Sequence, residues 1–205
     1  MWYFLIAIIP AVLIGYCKCK KQKLNLVGKH VFITGGSKGI GRSLAQIVAE
    51  AGAHVTIIAR DVNVLEQTKN DLTEKSVDEN QKIIVKSVDV SADYIEMEKV
   101  VSEAESISGP IHLLICCAGT SVSQRFEELP IETFKSLMNI NYFGTVNTIK
   151  AALPSMKNNT NGHIIMFSSI AGLFGLYGFS AYSASKFAVV GLAQALNMEV
   201  CDYQK

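Results

Sequence analysis

Thr34-Gly35-Gly36-Ser37-Lys38-Gly39-Ile40-Gly41 continues the apolar run His30-Val31-Phe32-Ile33 and leads straight into a helical pattern that lasts to Ala51. Glycines in such a loop allow a tight turn and a close approach of backbone to phosphate. The helix behind them offers N–H donors and the positive end of its dipole. A glycine pattern alone is weak evidence, because short motifs recur by chance. Set after a strand, before a helix and at the head of an alternating chain, it marks a dinucleotide-binding βαβ unit.

The alternation continues downstream. Apolar runs of strand length fall at 30–34, 54–59, 82–87, 113–117 and 163–167. Helical patterns separate or follow them at 41–51, 62–75, 94–107, 131–156 and 182–200, and Asp93 followed by Glu96 has the form of a capping box. Continuously apolar strands joined by helices of this length predict a Rossmann-type, doubly wound parallel sheet of the α/β class. Right-handed crossovers then put every strand's carboxyl end on one edge, where ligands bind. One domain over 26–205 is expected, with no internal repeat or low-complexity segment.

The second strand ends in Ile57-Ile58-Ala59-Arg60. An acidic residue about 20 positions beyond the loop would receive the ribose 2′-hydroxyl of NAD. Ala59 and Arg60 stand there instead, and Lys38 lies inside the loop, so two cations favour the 2′-phosphate of NADP(H). Asp61 is the alternative, since a small backbone shift would present its carboxylate.

Tyr182 and Lys186 are four residues apart, on one face of the last helix. A phenol is a poor proton donor at neutrality, and an ammonium beside it favours the phenolate. Ser169 lies thirteen residues before Tyr182, at the end of the apolar run His163-Ile164-Ile165-Met166-Phe167. A hydroxyl there and the phenol would share one carbonyl oxygen. With a hydride carrier nearby, that is a constellation for reducing a carbonyl or oxidising an alcohol. Tyr and Lys at this spacing are also common on helix surfaces, so the pair gains meaning only beside the nucleotide loop.

The first seventeen residues carry no charged side chain, and Lys18, Lys20, Lys21 and Lys23 follow. A spanning helix usually needs about 17–25 apolar residues, and Pro10 would kink this one. We expect an uncleaved membrane anchor over 1–17, a basic neck over 18–25 and a cytosolic body. A cleaved signal peptide is the alternative. The whole chain is only +1, so no basic surface points to nucleic acid. The five cysteines form no disulfide framework, and the four histidines have no metal-ligand spacing.

These motifs resemble the short-chain dehydrogenase/reductase family over essentially all of 26–205. Thr34–Gly41 matches its T-G-x-x-x-G-x-G loop, which implies that Gly35, Ser37, Lys38, Gly39, Ile40 and Gly41 contact the cofactor. Asp89 in Ser87-Val88-Asp89-Val90 matches the acid that holds the adenine amino group. Asn141 in Met138-Asn139-Ile140-Asn141 matches the catalytic asparagine, and Ser169, Tyr182 and Lys186 match the remaining catalytic positions, with Ser168 left open as a neighbour. One departure stands out. The N-N-A-G turn is Cys116-Cys117-Ala118-Gly119, so an amide that steadies the central strand is missing, while Gly119 still lets backbone approach the adenine ribose. The cysteine pair is expected to be a packing substitution, since a buried thiol keeps a high pKa.

Within the family, the anchor and the stretch Gly172-Leu173-Phe174-Gly175-Leu176-Tyr177-Gly178-Phe179-Ser180-Ala181-Tyr182 are most similar to members that reduce a long-chain keto sphingoid base at the endoplasmic reticulum membrane. The resemblance implies NADPH delivering hydride, Tyr182 donating a proton, and Ser169 polarising the carbonyl. It further implies Lys186 assisting the phenol and binding the nicotinamide ribose, with Asn141 holding a water. Family members continue with further strands and a substrate-covering segment, so the chain is expected to be C-terminally incomplete. An open edge favours aggregation or partner binding, a homo-oligomer among the outcomes. An anchored steroid or retinoid reductase and a non-catalytic NADP(H)-binding form are the competing readings.

Overall fold

The computed structural model describes residues 24–158 and 162–201. The anchor expected over 1–17 and most of the neck lie outside them. Among the described residues, no helix is long and apolar enough to cross a membrane.

Five strands form one parallel sheet: β1 His30–Thr34, β2 His54–Ala59, β3 Ile83–Ser87, β4 Ile111–Cys116 and β5 His163–Met166, in the order β3-β2-β1-β4-β5. The sheet reverses direction of growth between β1 and β4, whose ends pair as Thr34 with Cys116, and a crevice opens at such a switch point. The helices are α1 Gly39–Glu50, α2 Val62–Glu74, α3 Tyr94–Ser108, α4 Ile131–Met138, α5 Gly144–Lys157 and α6 Ser180–Cys201. The doubly wound parallel sheet is therefore present, with each strand within two residues of its expected bounds.

Alternation along each strand feeds two cores. Val31 and Ile33 of β1 join Leu113 and Ile115 of β4 against Ala45 and Val48 of α1 and Leu65 and Leu72 of α2. Phe32, Leu114 and Cys116 point the other way, onto Met97 and Val101 of α3 and Ile149 and Ala152 of α5. Both faces are thus covered, which is why apolar residues of the central strands point to both sides. Phe32 and Leu114 have no exposed surface, and truncating such a side chain to Ala costs about 2–5 kcal/mol. A third, smaller cluster packs Leu129 and Leu137 against Ala181, with Phe134 and Tyr182 at its margin, and so fixes α4 against the start of α6.

One local detail agrees with expectation and one differs. Asp93 does cap α3, accepting from the Glu96 N–H at 2.9 Å. The single helix expected over 131–156, however, is three pieces, because residues Asn139–Phe143 form a π turn between α4 and α5. A π turn carries one extra residue per bond and shifts which side chains share a face. Its middle residue is Asn141.

Candidate active site

The loop after β1 is built by its glycines. Gly35 has φ +68°, and a Cβ there would lie 2.8 Å from the Ala118 Cα, so the loop can turn and pack only without a side chain. Thr34, the last residue of β1, has its hydroxyl accept from the N–H groups of Cys117 at 3.1 Å and Ala118 at 3.0 Å. The turn after β4 is therefore steadied from β1, in a chain that lacks the amide expected there. Cys116 is fully buried, and burial pushes its thiol up to about 12; burial also raises that of Cys117. Both are inert packing groups at neutral pH.

Between this loop and the ends of β2 and β4 lies a cleft of about 420 Å³. Every nucleotide candidate from Gly35 through Gly119 lines it: Gly35, Ser37, Lys38, Gly39, Ile40, Gly41, Arg60, Asp89 and Gly119. Tyr182 and Lys186 are not on its wall. The Lys38 position that opens α1 makes no side-chain cap, and no acidic residue stands in the first turn, so the helix's leading N–H groups face the cleft uncommitted. An uncapped helix end, glycine backbone and a cleft at the switch point fit a dinucleotide phosphate.

The charged groups at the rim are paired loosely. Lys38 Nζ is 3.7 Å from Asp61, and Arg60 is 3.8 Å from Asp89. Asp61 also caps α2, accepting from the Val64 N–H at 3.2 Å. Burial alone would raise the Asp89 carboxyl, but hydrogen bonds from Ser91 and the nearby Arg60 charge outweigh it and lower its pKa.

Beyond Gly119 the catalytic candidates converge. A Cβ on Gly119 would sit 3.1 Å from Asn141 Oδ1 and 3.4 Å from Lys186 Nζ, so both groups border the inner end of the cleft. Lys186 is only 5 % exposed, and its ammonium donates to the Phe167 carbonyl at 2.8 Å and stands 5.8 Å from the Tyr182 ring centroid. Burial lowers its pKa, and the nearby Cys117 partly opposes that. Ser168 and Ser169 divide their tasks. The Ser168 hydroxyl donates to the Lys186 main-chain carbonyl at 3.1 Å, tying the segment after β5 to α6. The Ser169 hydroxyl accepts from the Ala171 N–H at 3.2 Å, which leaves its own proton to give. The turn that follows, Ile170–Gly172, lies so close to α6 that a Cβ on Gly172 would come within 2.8 Å of the Lys186 carbonyl oxygen.

Asn141 is buried, with both amide protons engaged: Nδ2 donates to the Thr120 carbonyl and to Ser185 Oγ, each at 2.9 Å, while Oδ1 accepts from the Thr120 N–H at 2.9 Å. Thr120 and Ser185 were not legible from spacing, because each meets Asn141 only through the fold. The threonine of the glycine loop was a visible signal for the support of 117–118, since its hydroxyl sits where β1 ends.

The short chain dehydrogenase family model matches residues 29–204. The chain belongs to the short-chain dehydrogenase family. This dehydrogenase is 47% identical to a 3-ketodihydrosphingosine reductase of Mus musculus and 43% identical to a 3-dehydrosphinganine reductase of Danio rerio, in each case over 182 residues, 89% of this chain and 55% of that protein. It thus spans about half the length of the curated relatives it matches. Its fold also superposes on the crystal structure of the apo form of LigO from Sphingobium sp. strain SYK-6, with a TM-score of 0.81 and 28% identity, covering 89% of this chain and 66% of that one. Family membership and the doubly wound sheet imply a nicotinamide dinucleotide as the dehydrogenase's cofactor.

Proposed function

We propose that this short-chain dehydrogenase is an NADPH-dependent reductase that converts the 3-keto group of 3-ketodihydrosphingosine to the alcohol of sphinganine. The observation that carries the reading is the meeting, at one edge of the sheet, of a dinucleotide cleft with Lys186 and Asn141 at its inner end. The names of the similar mouse and zebrafish proteins supply the substrate. Residues 1–17, uncharged and followed by four lysines within 18–23, support an anchor that leaves the site facing the cytosol at the endoplasmic reticulum, beside a lipid substrate.

NADPH rather than NADH is favoured by Arg60 and Lys38 at the cleft rim. Asp61, the carboxylate next to Arg60 in sequence, is engaged as the α2 cap, accepting from the Val64 N–H. Exposed ion pairs like those of Lys38 and Arg60 contribute little, about 0–1 kcal/mol, so either cation is readily transferred to a 2′-phosphate.

When bound, the nicotinamide supplies the hydride for the ketone carbon. The protein's own residues supply the proton and the orientation. The Ser169 hydroxyl, held by the Ala171 N–H, directs its proton at the carbonyl oxygen and polarises it. Tyr182 gives its phenolic proton to the oxygen as negative charge develops there, and the Lys186 ammonium below the ring stabilises the resulting phenolate.

The test is a panel of ketones given with NADPH to membranes carrying the full chain. Formation of sphinganine from 3-ketodihydrosphingosine, with little turnover of steroid or retinoid ketones, is the expected result. Turnover confined to the steroid or retinoid ketones would overturn the substrate assignment.

A further inference from the structure

We propose that Ser185 is a positioning residue of this site, locking the π turn that carries Asn141 against the turn of α6 that carries Tyr182 and Lys186. The inference rests, for its effect on rate, on the reductase reading above. Ser185 has no exposed surface. Its hydroxyl donates to the Tyr182 main-chain carbonyl at 2.7 Å and accepts from Asn141 Nδ2 at 2.9 Å, so a single oxygen joins two elements 44 residues apart.

The consequence for Asn141 follows from counting its hydrogen-bonding capacity. Its two amide protons go to Thr120 and Ser185, and its amide oxygen takes the Thr120 N–H. A side chain so engaged has no proton left for water or substrate. Its main-chain carbonyl accepts from Thr145 Oγ1 at 2.9 Å, so the turn is tied through both side chain and backbone. Asn141 therefore acts through where the π turn puts its backbone, and Ser185 is the tie between that turn and α6. Without the hydroxyl, one Asn141 proton is left buried and unpaired, and the turn is free to shift. A displacement of about 1 Å is enough to cost up to roughly 100-fold in rate.

The experiment uses the full chain in detergent, with ¹⁵N-labelled asparagine, and compares wild type with Ser185→Ala. In the wild type, both side-chain amide protons of Asn141 are expected to exchange slowly with solvent; fast exchange of either overturns the proposal without any variant. In Ser185→Ala, exchange is expected to speed up, kcat for the ketone to fall about 10- to 100-fold, and KM for NADPH to change much less than kcat, since the glycine loop and Arg60 on the cleft wall are untouched. In an Asn141→Ala background, Ser185→Ala is expected to cost nothing further. Unchanged exchange, or the same loss of kcat in both backgrounds, overturns the proposal. If the wild type reduces no ketone, the function fails on its own account, and the exchange comparison still decides whether Ser185 holds Asn141.

Discussion

At the amino ends of the strands three histidines stand near one another, and at the carboxyl ends lie the groups assigned to chemistry; both sets are partly or fully buried. His30 at the start of β1 donates from Nδ1 to the Gly109 carbonyl at 2.7 Å, while its Nε2 meets Thr56 Oγ1 at 2.9 Å. His54 Nδ1 accepts from the Lys82 N–H at 3.0 Å, and His112 Nδ1 from the His30 N–H at 3.4 Å. Each bond closes onto the protein. At the other edge Thr34, Asn141 and Ser185 close in the same way, yet the leading amides of α1 and the proton of Ser169 remain available toward the cleft. Burial of polar groups thus does not distinguish a working edge from a structural one. Uncommitted donors beside an opening do.

The largest effect is expected on removing the buried cation at the working edge. Lys186→Met is expected to lower turnover by about 10²–10⁴-fold, since the phenol loses the charge that assists its proton transfer. Thermal stability is expected to hold or rise, because an ammonium taken out of water is replaced by an apolar chain of similar length. A melt that collapses along with activity would make Lys186 a structural residue like the histidines.

The structural edge has its own signature in pH. Burial lowers the His30 pKa from 6.5 to about 4, so the unfolded chain binds a proton that the folded one refuses. The stability due to neutral His30 is fully present above pH 6.5 and is lost as pH falls toward 4, by up to roughly 3 kcal/mol. Burial also lowers the pKa values of His54 and His112, which act in the same direction. Urea unfolding at several pH values between 4 and 7, with His30→Leu flattening the dependence, checks this.

A smaller effect is expected at the cleft rim. Arg60→Ala removes a cation that is mostly exposed, so KM for NADPH is expected to rise about tenfold while KM for NADH changes little. Equal effects on both cofactors would remove Arg60 as the 2′-phosphate group.

Much of the working edge could be read in the sequence, and the reason is local. The loop 34–41 encodes its turn in neighbouring residues, and Tyr182 and Lys186 share a face by helical spacing. Ser169 lies at a strand end that its apolar run announces. The supporting bonds are not local: Thr34 reaches Cys117 and Ala118 across 83 and 84 positions, and Asn141 reaches Thr120 and Ser185 across 21 and 44. No periodicity records such pairs. The π turn was hidden for a related reason, since a single extra residue in a long helical stretch carries no residue type of its own to announce it. Asp61 was ambiguous because cap and ribose acceptor demand the same side chain, and only its bond to Val64 separates them.

At the carboxyl edge, Tyr182 is expected to give its proton to a ketone oxygen. The most direct measurement is NADPH oxidation on 3-ketodihydrosphingosine by the full chain and by Tyr182→Phe, with NADPH binding followed by fluorescence in both. Turnover in the wild type, a loss of at least about 10²-fold in the variant, and unchanged binding are expected. Equal turnover in the two proteins, or none in a wild type that still binds NADPH, would contradict that role for Tyr182.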